Sequence, residues 1–222
     1  GALAPARIAQ IVSVLRVRHP QLRISATIGD LPAAAADEML ARVQRVASCG
    51  VDYVKVGLWP APGACVSVLL DALAGCDAEI VPVLVADGEL DPALVAQVLQ
   101  HPGFPAVMVD TGDKGRGSLL ARLPAATLAA FVGAVRARGM LAGLAGSLRA
   151  EDVPALLALA PDFAGFRGAV TRGGRSAPLD PELVRGLRSG LAPDAGTHDR
   201  RRRDLQHARL LSPAWDQKTA IR

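Results

Sequence analysis

A chain of 222 residues (23.0 kDa), half of it hydrophobic with a mean hydropathy of +0.28, can bury a substantial core, which excludes global disorder. Aromatic residues are only 3% while Ala, Val, Leu and Gly dominate, which favours helices packed on buried parallel strands over an all-β sandwich. The net charge is +4, but residues 194–222 carry +3 of it, so the rest of the chain is nearly neutral.

Residues 6–18 space their apolar side chains as a helix does, and His19-Pro20 ends it. A unit then repeats: a short β-branched run, a Gly/Asp/Pro loop, an Ala/Leu-rich helix. The strand-like runs are 23–28, 53–57, 79–86, 106–110, 140–145 and 163–167; helices are expected near 33–48, 63–75, 91–100, 118–138, 149–159 and 180–190. In the last of these, Pro181 after Asp180 is a favourable helix start. The spacing is that of βα units, and six of them predict a parallel α/β sheet. Neither a GxGxxG nor a Walker loop follows the first strand, so a nucleotide-binding open sheet loses its usual support. Polar residues instead cluster at strand C-termini (Asp30, Lys55, Asp110, Ser147 and Arg167), as at the mouth of a TIM (βα)8-type barrel. Six strands are two short of eight. We therefore expect a barrel domain over 1–193, incomplete at its N-terminus, and an Arg-rich, mobile tail over 194–222.

Cys49, Cys65 and Cys76 are odd in number and lack metal-ligand spacing, so they read as reduced thiols. The four histidines are scattered, and no metal site is expected. No apolar run reaches the roughly 18 residues of a membrane span, and no secretory leader is visible, which gives a cytoplasmic expectation. The Arg run of the tail lacks interleaved aromatics, which argues against specific nucleic-acid readout.

The chain has 22 Arg and three Lys: Lys55, Lys114 and Lys218. So few surviving lysines point to a chemical need for an amine, because Arg stays protonated. In the run 53–58 (YVKVGL) strand alternation points Lys55 into the barrel if Val54 and Val56 face the helices; the competing reading is a strand-end charge reaching solvent along its stem. Asp110 ends an apolar run and is followed by a Gly-rich loop carrying Lys114; the same features would serve as a helix cap and a surface charge. If the three meet, two ammoniums depress one another's pKa and the carboxylate steadies the pair. The small-residue loops at Gly146-Ser147 and Arg167-Gly168 could bring backbone N–H groups to a phosphate, or be tight turns. Thr27 and Asp30 form a similar strand end, where Asp30 would orient a substrate hydroxyl or cap a helix.

Five co-linear segments, 25–32 (SATIGDLP), 53–58 (YVKVGL), 108–119 (MVDTGDKGRGSL), 144–148 (LAGSL) and 162–169 (DFAGFRGA), resemble the (5-formylfuran-3-yl)methyl phosphate synthase family, also called 4-(hydroxymethyl)-2-furancarboxaldehyde-phosphate synthase. The resemblance runs to about residue 190. It implies a TIM-barrel lyase with class I aldolase-like lysine chemistry that condenses two glyceraldehyde 3-phosphates, with loss of phosphate and water, for the furan coenzyme of one-carbon metabolism. By this resemblance Lys55, Asp110 and Lys114 are catalytic, while Gly146, Ser147, Arg167 and Gly168 fall where a phosphate would be held; Thr27 and Asp30 are added as substrate-binding candidates. No cofactor or metal is implied; a triose phosphate is the partner, and exposed strand edges predict a homo-oligomer. The family's imine-forming lysine, in a D-[IV]-K-[NE]-P strand end, has no counterpart: Gly1-Ala2-Leu3-Ala4 matches the stretch after it. Two further departures are Gly115-Arg116 after the lysine and Thr171 where Cys is common. The competing expectations are an impaired remnant that binds phosphorylated metabolites, or another class I aldolase-like phosphate-binding barrel.

Overall fold

The computed structural model describes residues 2–60, 66–174 and 176–191. The Arg-rich tail, the expectations placed on it, and Cys65 lie outside the described residues. Six strands, β1 (Ser25–Thr27), β2 (Tyr53–Leu58), β3 (Ile80–Val85), β4 (Ala106–Asp110), β5 (Leu141–Ala145) and β6 (Phe163–Gly165), form one sheet in sequence order. All five neighbour pairs are parallel. Among the described residues eight α-helices, α1 (Pro5–Arg18), α2 (Ala36–Ala47), α3 (Val66–Ala74), α4 (Pro92–Val98), α5 (Leu119–Arg122), α6 (Ala125–Ala137), α7 (Val153–Leu159) and α8 (Pro181–Leu191), precede, separate and follow the strands. Each expected strand is present; β1, β3, β5 and β6 are shorter than expected, β4 keeps its bounds and β2 runs one residue further, to Leu58. Among the described residues nothing pairs with the outer edges of β1 and β6, so the sheet is a curled, open part of a barrel.

Strand alternation divides the core in two. Val54, Val56 and Leu58 of β2, Ile80 and Leu84 of β3, and Val107 and Val109 of β4 face outward into one cluster with helix residues such as Met39, Val43, Leu70, Leu128 and Val135. The opposite phase, Val81, Val83, Ala106, Met108 and Ala145 with Tyr53, Leu141 and Phe163, fills the concave side. That second cluster is made of strand residues alone, with no helix residue in it, as inside a rolled sheet and unlike a flat one covered by helices on both faces.

One element departs from the sequence expectation. The single helix expected over 118–138 is two, α5 and α6, broken at Leu123-Pro124: Leu123 is extended (φ −116°, ψ 137°). Proline disfavours helical geometry in the residue before it and cannot donate a backbone hydrogen bond. The break places Arg122 at the end of a short helix against the loop that leaves β4. Cys49 and Cys76 are free thiols.

Candidate active site

A cavity of about 1000 Å3 opens at the C-terminal ends of the strands. All nine residues singled out in the sequence line it: Thr27 and Asp30 after β1, Lys55 from β2, Asp110 and Lys114 from β4 and its loop, Gly146 and Ser147 after β5, Arg167 and Gly168 after β6. The first and last of these are 141 positions apart; a sheet in sequence order with all strands parallel is what puts them on one rim.

Lys55 enters from the wall. Its neighbours Val54 and Val56 are buried in the outer cluster, so its side chain belongs to the concave side. It pairs in register with Thr27 on β1 and Val81 on β3, whereas Asp110 pairs with Val85. Asp110 therefore stands nearer the mouth, and the aliphatic stem of Lys55 carries its amine toward it. Burial beside the apolar wall pushes the Lys55 amine below the ordinary lysine range; Asp110 opposes that shift and the Lys114 cation reinforces it.

Lys114 turns back on its own loop. Its Nζ donates to Asp110 Oδ1 at 2.5 Å and also to the Thr111 carbonyl. Asp110 Oδ1 accepts the Thr111 N–H at 2.7 Å. The loop after β5 closes over this pair: Ser147 Oγ donates to the Lys114 carbonyl at 3.0 Å, and the Leu119 N–H donates to the Gly146 carbonyl at 2.8 Å. Gly146 has φ +116°, and a Cβ there would lie 2.8 Å from Thr111 Cγ2, so the two loops touch only because this residue is glycine. Ser147, also at positive φ (+46°), is half-buried.

The remaining predicted residues are looser. Thr27 Oγ1 accepts the Gly29 N–H at 3.2 Å, and Asp30 is exposed at the rim. Arg167 is exposed and donates to the Ala177 carbonyl at 3.0 Å; Gly168 opens a short 3-10 turn. Three residues of this neighbourhood carry no local sequence signal. Trp59 lines the cavity next to Gly112. Asp87 and Arg122 stand behind the Lys114 loop; only the Asp-Gly pair at 87–88, a turn signal, pointed near them. Among the described residues there is no group of three or more His, Cys, Asp or Glu that could hold a metal, and no helix is long and apolar enough to cross a membrane.

The family model of the 4-HFC-P synthases matches residues 1–188. The (5-formylfuran-3-yl)methyl phosphate synthase of Methanopyrus kandleri is 35% identical over 208 residues, covering 86% of this chain and 85% of its own. That of Methanosarcina mazei is 34% identical over 198 residues, covering 84% and 83%. Among solved structures, phosphoribosyl anthranilate isomerase from Thermus thermophilus superposes with a TM-score of 0.58 at 19% identity, covering 85% of this chain and 80% of that one; this likeness concerns the fold.

Proposed function

Since this chain belongs to the 4-HFC-P synthase family, we propose that it is built to condense two molecules of glyceraldehyde 3-phosphate into 4-(hydroxymethyl)-2-furancarboxaldehyde phosphate, by lysine-based lyase chemistry. The atom balance of two triose phosphates against one furan phosphate requires loss of one phosphate and two waters, so protons must be taken from carbon and given to departing oxygen repeatedly. The observation that carries the reading is that Lys55 and the Asp110–Lys114 pair line one cavity from separate strand ends.

In this reading Lys55 is the proton shuttle. An amine held below its ordinary pKa by burial gives up its proton more readily than a free lysine, which suits it to take a proton as a base and return it as an acid. Asp110 steadies the protonated form, and Lys114, locked on Asp110, limits how far. The phosphates would be met by Arg167, the backbone at Gly168 and the Gly146-Ser147 turn, with Thr27 and Asp30 toward substrate hydroxyls. The imine itself is assigned to a lysine of the D-[IV]-K-[NE]-P type, not to Lys55. No metal or organic cofactor enters these steps.

Borohydride reduction in the presence of glyceraldehyde 3-phosphate tests the assignment. A chain extended at its N-terminus with a D-V-K-N-P strand end should trap the adduct on that lysine and form the furan, read by ultraviolet absorbance and mass. The 222-residue chain should trap none. Trapping on Lys55, or an extended chain that makes no furan, overturns the reading.

A further inference from the structure

The loop between Asp110 and Lys114 is not helical, so nothing in its own backbone ladder returns Lys114 to the residue four positions back. Its internal ties are the Thr111 N–H on Asp110, the Lys114 Nζ on the Thr111 carbonyl and the Gly115 N–H on Asp113 Oδ1; the rest comes from outside. Asp87, just after β3, accepts the Gly112 N–H at 2.8 Å and the Asp113 N–H at 3.1 Å on Oδ1. These are two of the three backbone donors between the carboxylate and the lysine. Arg122, at the end of α5, donates to the Asp113 carbonyl at 2.9 Å and the Asp87 carbonyl at 2.7 Å, and its Nη1 lies 3.1 Å from Asp87 Oδ1. The Arg122 side chain is only 7% exposed. A buried guanidinium is retained only when fully answered, and here its partners are Asp87 and the lysine loop. Gly112 completes the fit: a Cβ there would sit 2.6 Å from Asp87 Oδ2 and from the Trp59 ring. Neither Asp87 nor Arg122 lines the cavity.

We propose that Asp87 and Arg122 are positioning residues: they clamp the backbone of Gly112 and Asp113 in the arrangement that seats the Lys114 ammonium on Asp110, and so fix the cation that faces Lys55. The clamp deepens the synthase reading, on which its catalytic consequence rests, but its structural claim concerns the two lysines alone. The charged groups lining the cavity with Lys55 are Asp30, Asp110, Lys114, Arg149, Glu151 and Arg167; Asp110 and Lys114 are the two whose fields act on it. Releasing the loop withdraws the Lys114 cation and leaves Asp110 to hold the Lys55 proton more firmly.

The chain has only three lysines, so protein labelled with 13C at lysine Cε gives three signals, assigned through Lys55→Met and Lys114→Met. Following them with pH in wild type, Arg122→Met, Arg122→Lys and Asp87→Asn reads the clamp directly, without substrate. The Lys55 midpoint should rise toward the ordinary lysine value in Arg122→Met and Asp87→Asn, and less in Arg122→Lys. In the extended, active chain the same variants should lower kcat on the order of 100-fold with KM little changed, as for a group displaced by about 1 Å. An unmoved Lys55 midpoint in variants that still melt cooperatively overturns the clamp. Should Arg122→Met fail to fold, Asp87→Asn, nearly isosteric, decides. Midpoints that move as expected in a chain that makes no furan uphold the clamp and overturn the synthase reading instead.

Discussion

Lys55 is a costly residue for the fold and a useful one for chemistry. Its amine is lowered below its ordinary value, about 10.5, chiefly by burial, with Lys114 adding to and Asp110 opposing the effect. A lysine with a lowered folded-state pKa is destabilising wherever the unfolded chain binds the proton more readily, and that cost fades as pH rises through the folded value toward the ordinary one. Lys55→Met should therefore raise Tm by a few degrees, roughly 2–4 °C at neutral pH, with the gain shrinking as pH approaches 10.5, followed by calorimetry across pH. The same change should cut turnover of the extended chain by about 100-fold or more. Gly146 is the opposite case, a residue whose smallness is structural. Gly146→Ala meets Thr111 at 2.8–2.9 Å in a φ of +116° and should destabilise by about 1–3 kcal/mol, measured by urea unfolding. The lysine was legible in the sequence because it interrupts a β-branched run with a fixed alternation. The Asp87–Gly112 contact was not, because it joins residues 25 apart and neither belongs to a periodic pattern.

At the scale of elements, the βα repeat was readable because most strands are short apolar runs and some helix boundaries carry their own signal. Asp91, for instance, accepts the Ala93 and Leu94 N–H groups as a true N-cap of α4. What escaped was the break at Pro124, where Ala/Leu composition outweighed one proline in a long helical pattern, and with it the placement of Arg122. Another unseen tie is Asp162 before β6. It pairs with Arg136 of α6 at 2.9 Å, accepts the Ala142 N–H of β5 at 2.8 Å, and is nearly buried. It thus fastens a helix to two strands at the end of the sheet away from the cavity. Asp162→Ala leaves Arg136 without its carboxylate and should lower stability by about 3 kcal/mol. Because the rim is untouched, the Lys55 titration should stay as in wild type, which separates this structural pair from the Asp87–Arg122 clamp.

At the scale of the whole sheet, the described strands leave two edges, β1 and β6, without a neighbour. The outer edges of β1 and β6 carry backbone groups unpaired by any described strand, and only the shortness of these strands, three residues each, blunts them. The helices beside the edges are also under-covered. On α1, Val14 and Val17 are 51% and 87% exposed, and α8, although amphipathic in sequence, buries no residue. In a closed ring those faces would be shared with neighbours. Ala2, at the head of α1, packs 3.4 Å from the position of a Cβ on Gly29, just past the end of β1. A strand supplied there would satisfy the β1 edge and cover α1 together. Light scattering after size exclusion should therefore find this chain self-associating as concentration rises, and the extended chain should do so less. A monomeric 222-residue chain at all concentrations would mean that the edges are already satisfied and that no added strand is needed.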